Sequence, residues 1–140
     1  TDRPHEARDL FMKLTRQDKN DSEAWLMLGE ASWALGDELG ALTAARHAIK
    51  NNPQLAKAYI LAGLIFQKRN ELKHATEMFE LADAHEPDDA TTRILQGIMY
   101  QRNGKPDAAA QAYADALRRE PNDPRAQRLL AGVVEPPPGR

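Results

Sequence analysis

Few residues in this chain combine the types and spacing that catalysis or metal binding requires. The four histidines, His5, His47, His74 and His85, share no ligand spacing. The run His5-Glu6-Ala7-Arg8-Asp9 begins like the His-Glu-x-x-His helix that holds zinc, but aspartate stands where the second histidine is needed. It reads as an exposed helix start, so no metal and no cofactor are expected. Asp88-Asp89 and Asn122-Asp123 precede helix-like runs and read as helix caps rather than an acid–base couple. Glu77, Glu80 and Asp83 share one side of a helix and read as solvated. The absence of cysteine removes thiol catalysis and disulfides. Gly29, Gly63 and Gly97 are isolated within helix-like runs, not gathered in a phosphate-cradling loop. No catalytic residues and no enzyme activity are expected.

Composition narrows the partners. A formal net charge of −2 gives no basic field for a nucleic-acid backbone. The local cations Arg118, Arg119, Arg125 and Arg128 lack interleaved aromatic platforms, so nucleic acid is not an expected partner. No apolar stretch approaches the ~18–20 residues of a membrane helix, so direct membrane insertion is not expected. No signal peptide is visible, and periplasm, envelope and cytoplasm all fit. The first residue is Thr1 rather than Met, which fits a chain processed or cut from a longer protein.

What positions the side chains is a repeat. Pro53, Pro87 and Pro121 are spaced by 34 residues. Gly29, Gly63 and Gly97 keep the same period, as do Ala41, Ala75 and Ala109, and Ala48, Ala82 and Ala116. Such a period signals stacked supersecondary segments. Each segment, 22–55, 56–89 and 90–123, reads as two helices. Asp21 or Ser22, and Asp88 or Asp89, cap first helices; Gly36, Asn70 and Gly104 mark the turns; Pro106 suits a first helical turn. Residues 1–21 contain a helix near Pro4–Arg16 in phase with a second helix: Ala7 matches Ala41 and Phe11 matches Phe79. Residues 124–135 form a capping helix with Leu129, Leu130 and Val133 on one side. Residues 136–140 read as a Pro-rich tail. The expected architecture is all-α, with about seven helices and no strand.

These columns resemble the tetratricopeptide repeat. The first segment carries Trp25, Leu28, Gly29, Ala41, Ala48 and Pro53; the second Tyr59, Gly63, Phe66, Ala75, Phe79, Ala82 and Pro87; the third Gly97, Tyr100, Ala109, Tyr113, Ala116 and Pro121. The resemblance implies a right-handed superhelix of antiparallel helix pairs, with glycines at close helix crossings and aromatics between helices. Ser32 and Ala45 replace large residues, so looser packing is expected in the first repeat. Arg93 stands where Trp25 and Tyr59 stand, and Gln96 where Leu28 stands, which predicts weaker packing in the third.

The resemblance also implies that first helices line a concave wall. The columns there are Leu26, Ile60, Ile94 and Arg128; then Glu30, Leu64 and Ile98; then Trp33, Gln67 and Gln101. Glu23 and Glu30 lie toward one end, and Lys57, Lys68, Arg102, Arg125 and Arg128 toward the other. An apolar stripe with charged ends suits an amphipathic helix or extended peptide of a partner protein. The family's carboxylate clamp for chaperone tails needs lysine and asparagine, whereas Leu26, Glu30, Leu61, Thr91 and Leu95 occupy its positions, so a chaperone-tail adaptor is not expected. The leading expectation is a protein-interaction module. The alternatives are a structural solenoid segment of a larger protein, for instance in a bacterial envelope assembly, or an accessory region of an enzyme whose catalytic domain lies elsewhere.

Overall fold

The structure, a computed structural model, describes residues 3–134. Among them are eight helices and no strand: α1 (Arg3–Gln17), α2 (Ser22–Ala34), α3 (Glu38–Asn51), α4 (Ala56–Lys68), α5 (Leu72–His85), α6 (Ala90–Arg102), α7 (Pro106–Arg119) and α8 (Pro124–Val134). The expectation of about seven undercounts by one, since three pairs and a helix on each flank make eight. The expected Pro136–Gly139 linker lies outside the described residues.

Local chemistry sets the helix ends. Asp21, Asp37 and Asp89 accept backbone N–H bonds from Ala24, Gly40 and Thr91 at 3.0, 2.9 and 2.9 Å. Each satisfies a donor that a helix start leaves unpaired. The turn within each pair needs a left-handed residue, and Gly36, Asn70 and Gly104 supply it at φ of 80°, 61° and 71°. The next amide then reaches back into the helix: Asp37 to the Ser32 carbonyl at 2.9 Å, Glu71 to Phe66 at 2.9 Å and Lys105 to Tyr100 at 2.8 Å.

The chain divides into two compact units, residues 1–85 and 86–140. In the first, α2 pairs with α3 and α4 with α5, while α1 packs on α2 and α3 on α4. Its core runs through Leu26, Leu42, Ala45, Leu61 and Ile65. Tyr59 and Ala82 close a second cluster. In the second unit α6 pairs with α7, and α8 packs on α7. Ile94, Ala116 and Ala126 form its apolar cluster, flanked by Ile98 and Leu129.

The glycines do mark close crossings. A Cβ on Gly63 would stand 2.9 Å from Cζ of Phe79 and closer still to Cδ1 and Cε1. On Gly97 it would meet Tyr113 in the same way, 2.9 Å from Cζ. Phe79 and Tyr113 are wholly buried. At Gly29 the contact is instead Leu61 Cδ2, 2.8 Å away.

Candidate functional site

Apolar residues spaced four apart on α4 share a face. Ile60 and Leu64 do so, and both are half-buried. With Glu30 and Trp33 of α2, and with Lys57 and Leu61 of α4, they line a depression of about 190 Å³. Four residues expected on the concave wall therefore meet in one place: Glu30, Trp33, Ile60 and Leu64. Glu30 and Lys57 are exposed and give its rim one charge of each sign.

A small ionic cluster lies beside the tryptophan. Lys68 Nζ lies 5.2 Å from the Trp33 ring centroid. The same ammonium is 3.3 Å from Glu38 Oε2, and Arg69 Nε donates to Glu38 Oε1 at 3.2 Å. The Arg69 and Lys68 cations beside Glu38 hold its carboxyl below the ordinary glutamate range. Lys68, expected as a free rim charge, is thus committed to Glu38 and Trp33.

A profile of the tetratricopeptide repeat matches residues 1–56 and 94–135. This chain belongs to the tetratricopeptide repeat family. Its fold is shared by MamA from Desulfovibrio magneticus RS-1, residues 41 to the end, at 26% identity and a TM-score of 0.80, covering 93% of this chain and 73% of that one. It is also similar to TTC0263, a thermophilic tetratricopeptide repeat protein of Thermus thermophilus, at 24% identity and a TM-score of 0.83, covering 91% and 71%. The Arabidopsis OM64 tetratricopeptide repeat domain aligns at 19% identity and a TM-score of 0.75, covering 81% and 93%. A sequence search of curated proteins gives no match. Tetratricopeptide repeats are scaffolds for protein–protein interaction and are typically non-catalytic. No described helix is long and apolar enough to cross a membrane.

The family's repeat columns do not all reach the surface. Leu26 is 6% exposed and belongs to the same core cluster as Ala58, Leu61 and Ala62 of α4. Gln67 is buried at 8% exposure. Ile94 is buried at 4% and clusters with Ala126 of α8. These three side chains offer little surface. Ile98 is half-buried beside the Ile94 cluster. Gln101 is exposed, but its Oε1 accepts the Tyr113 hydroxyl at 2.7 Å. Arg128 is exposed. Arg125 donates to Asp123 Oδ2 at 2.7 Å and to Thr91 Oγ1 at 3.4 Å, so it is engaged within the second unit.

The replaced column residues have distinct surroundings. Arg93, in the aromatic column, donates from Nη1 to Gln96 Oε1 at 2.7 Å and from Nη2 to Asp115. Asp115 also pairs with Arg118. The third repeat replaces an aromatic wedge with a polar network, and Gln96 is buried within it. In the first repeat Ala45 is fully buried and shares a cluster with Leu61, while Ser32, the other small replacement, lines a depression of about 610 Å³. Sequence reasoning missed Leu61 as a wall of the depression; its signal was the large residue one helical turn before Ile65, beside Ala45, which is small where the later repeats carry Phe79 and Tyr113.

Proposed function

We propose that the chain is an interaction module that seats an apolar segment of a partner protein in the depression between α2 and α4. The observation that carries this is the convergence of Trp33, Ile60 and Leu64, with Glu30 and Lys57 at the rim. The half-buried apolar side chains lose water when a partner side chain enters, which drives association. The opposite rim charges orient the incoming segment. The test is capture of partners by tagged protein, compared between wild type, Ile60→Asp/Leu64→Asp and the rim variant Lys57→Glu. The double variant should lose capture at near-native helix content by circular dichroism. Lys57→Glu should weaken capture most at low salt. Full capture by a folded double variant would reject the depression as the site, and unfolding of it would assign these side chains to the core.

A second reading, a solenoid segment that spaces other domains, draws on α1. This helix has the phase of a second helix and packs on α2, while its Leu10 is 54% exposed.

A further inference from the structure

The α4 helix has a second face. Successive helical residues advance by about 100°, so Ala62 and Phe66 point about 200° away from Ile60 and Leu64. On that opposite side, α3, α4 and α5 enclose a groove of about 520 Å³. Its apolar wall is Leu42, Ile49, Tyr59, Phe66, Met78 and Leu81. Leu81 is 41% exposed and carries this wall out to the surface, so the apolar residues form one contiguous patch rather than a lone exposed side chain.

The charges around this groove are one-sided. Arg46 and Lys50 line it from α3, one helical turn apart, and both are exposed. Neither has an ion pair or hydrogen bond among the described residues. Among the described residues the other ionisable neighbours are the Tyr59 phenol, which donates to the Pro53 carbonyl at 2.7 Å, and His74, which meets Glu71 at 3.2 Å. Among them no acidic side chain lines the groove itself.

The preceding repeat supplies a control. Trp25, Ser32 and Ala44 lie 34 positions before Tyr59, Phe66 and Met78, and they line an equivalent depression of about 610 Å³. That depression carries Asp9 and Asp37 beside Arg8. Its own carboxylates repel an acidic ligand, whereas the α3–α5 groove has cations and no carboxylate.

From this we infer that the α3–α5 groove is a second docking surface, separate from the α2/α4 depression, and that its occupant is an acidic amphipathic helix of a partner protein. Apolar residues at i, i+3, i+4 and i+7 of that helix lie along Phe66, Met78 and Leu81. Carboxylates one turn apart on its flank meet Arg46 and Lys50.

The probe is a displayed library of helix-forming peptides about four turns long, selected on the intact chain. Enriched peptides should combine the apolar spacing with two carboxylates one turn apart. Binding of a labelled selected peptide should fall about tenfold or more with Arg46→Glu/Lys50→Glu and stay unchanged with Lys57→Glu. Exchanging the two peptide carboxylates for lysine should restore binding to the reversed variant. Replacing them with glutamine should cost about tenfold on unaltered protein, a measurement that does not depend on the variant folding. The inference is overturned if no selected peptide responds to Arg46 and Lys50, or if responsive peptides carry no carboxylates. It is also overturned if binding moves with Lys57→Glu, which would place the peptide in the α2/α4 depression instead. Self-association seen by sedimentation and abolished by Arg46→Glu/Lys50→Glu would replace the partner helix with a second copy.

Discussion

Gly29 and Gly63 hold the same position in successive repeats, yet the atoms facing them come from different places. At Gly63 the facing group is the Phe79 ring, from the other helix of the same pair. At Gly29 the corresponding position is Ala45, and the group that approaches is Leu61 from α4, the first helix of the next repeat. Gly97 follows the second repeat's solution, with Tyr113 as the ring. The shared column therefore enforces close approach of helices, but only in the second and third repeats does a ring of the same pair come nearest; at Gly29 α3 supplies Ala41 O and Ala44 Cβ at 3.3 and 3.4 Å, behind Leu61. A flexible aliphatic tip can retreat, whereas a wholly buried ring cannot. The two glycines should differ in tolerance although their sequence contexts look alike.

The largest effect expected from this contrast is at the second repeat. Gly63→Leu drives four carbons toward the Phe79 ring and should cost about 3 kcal/mol or more, since overpacking forces strained rotamers or helix displacement. Exposed Lys73→Ala should stay within about 0.5 kcal/mol. Urea melts of the two variants give the difference directly; coincident midpoints would show that the crossing is not tight.

A smaller change separates the repeats more sharply. Alanine is worth about 0.8–1 kcal/mol over glycine inside a helix. At Gly29 that gain is opposed mainly by Leu61 Cδ2, a side-chain terminus, and by the Ala41 carbonyl at 3.3 Å. Gly29→Ala should accordingly be near neutral. Gly63→Ala meets three ring carbons and should be less stable than Gly29→Ala by about 1 kcal/mol or more. Equal stabilities in the same denaturant series would erase the distinction between filling from within and filling from the neighbour.

The last effect distinguishes Phe79 from Tyr113 and appears only in alkali. Burial pushes the Tyr113 hydroxyl up to about 12 from its ordinary value of 10.0. Between those values the folded chain keeps a proton that the unfolded chain has lost. The associated stability is complete below about pH 10 and is lost as pH rises through about 12. Tyr113→Phe, which gives the third repeat the second's ring, should flatten that part of the decline. Denaturation midpoints measured across the alkaline range should diverge from wild type; parallel curves would mean that the hydroxyl titrates alike in both states.

Much of this architecture was readable because a few residue types leave the chain no alternative. Gly36, Asn70 and Gly104 permit the left-handed turn, prolines stop helices, and aspartates at Asp21, Asp89 and Asp123 cap them. The candidate site was legible only in part. A repeat column fixes which side of its helix a residue occupies, but exposure depends on what the neighbouring helix places over it. Leu26, Ile60 and Ile94 share a column, yet Leu26 shares its cluster with α4 residues and Ile94 shares its own with Ala126, so only Ile60 keeps a useful surface. Charges were harder still. Lys68 looked free in sequence because its partner, Glu38, stands 30 positions away, and Arg125 because its partner Asp123 is also a helix cap. Arg46 and Lys50 drew no notice, since an unpaired cation is visible only once every nearby acid has been located.

Leu61 also bears on how such a chain can be rearranged. A repeat that fills its own crossing can be copied, moved or deleted as a cassette. The first repeat depends on its successor, because its glycine faces a side chain encoded there. One period away that position holds Met27 or Leu95. The third repeat placed after the first would keep a leucine against Gly29, whereas a second copy of the first would bring methionine. Neighbour order is therefore written into the interior of this array, and a designer extending it has the second repeat as the more self-contained part.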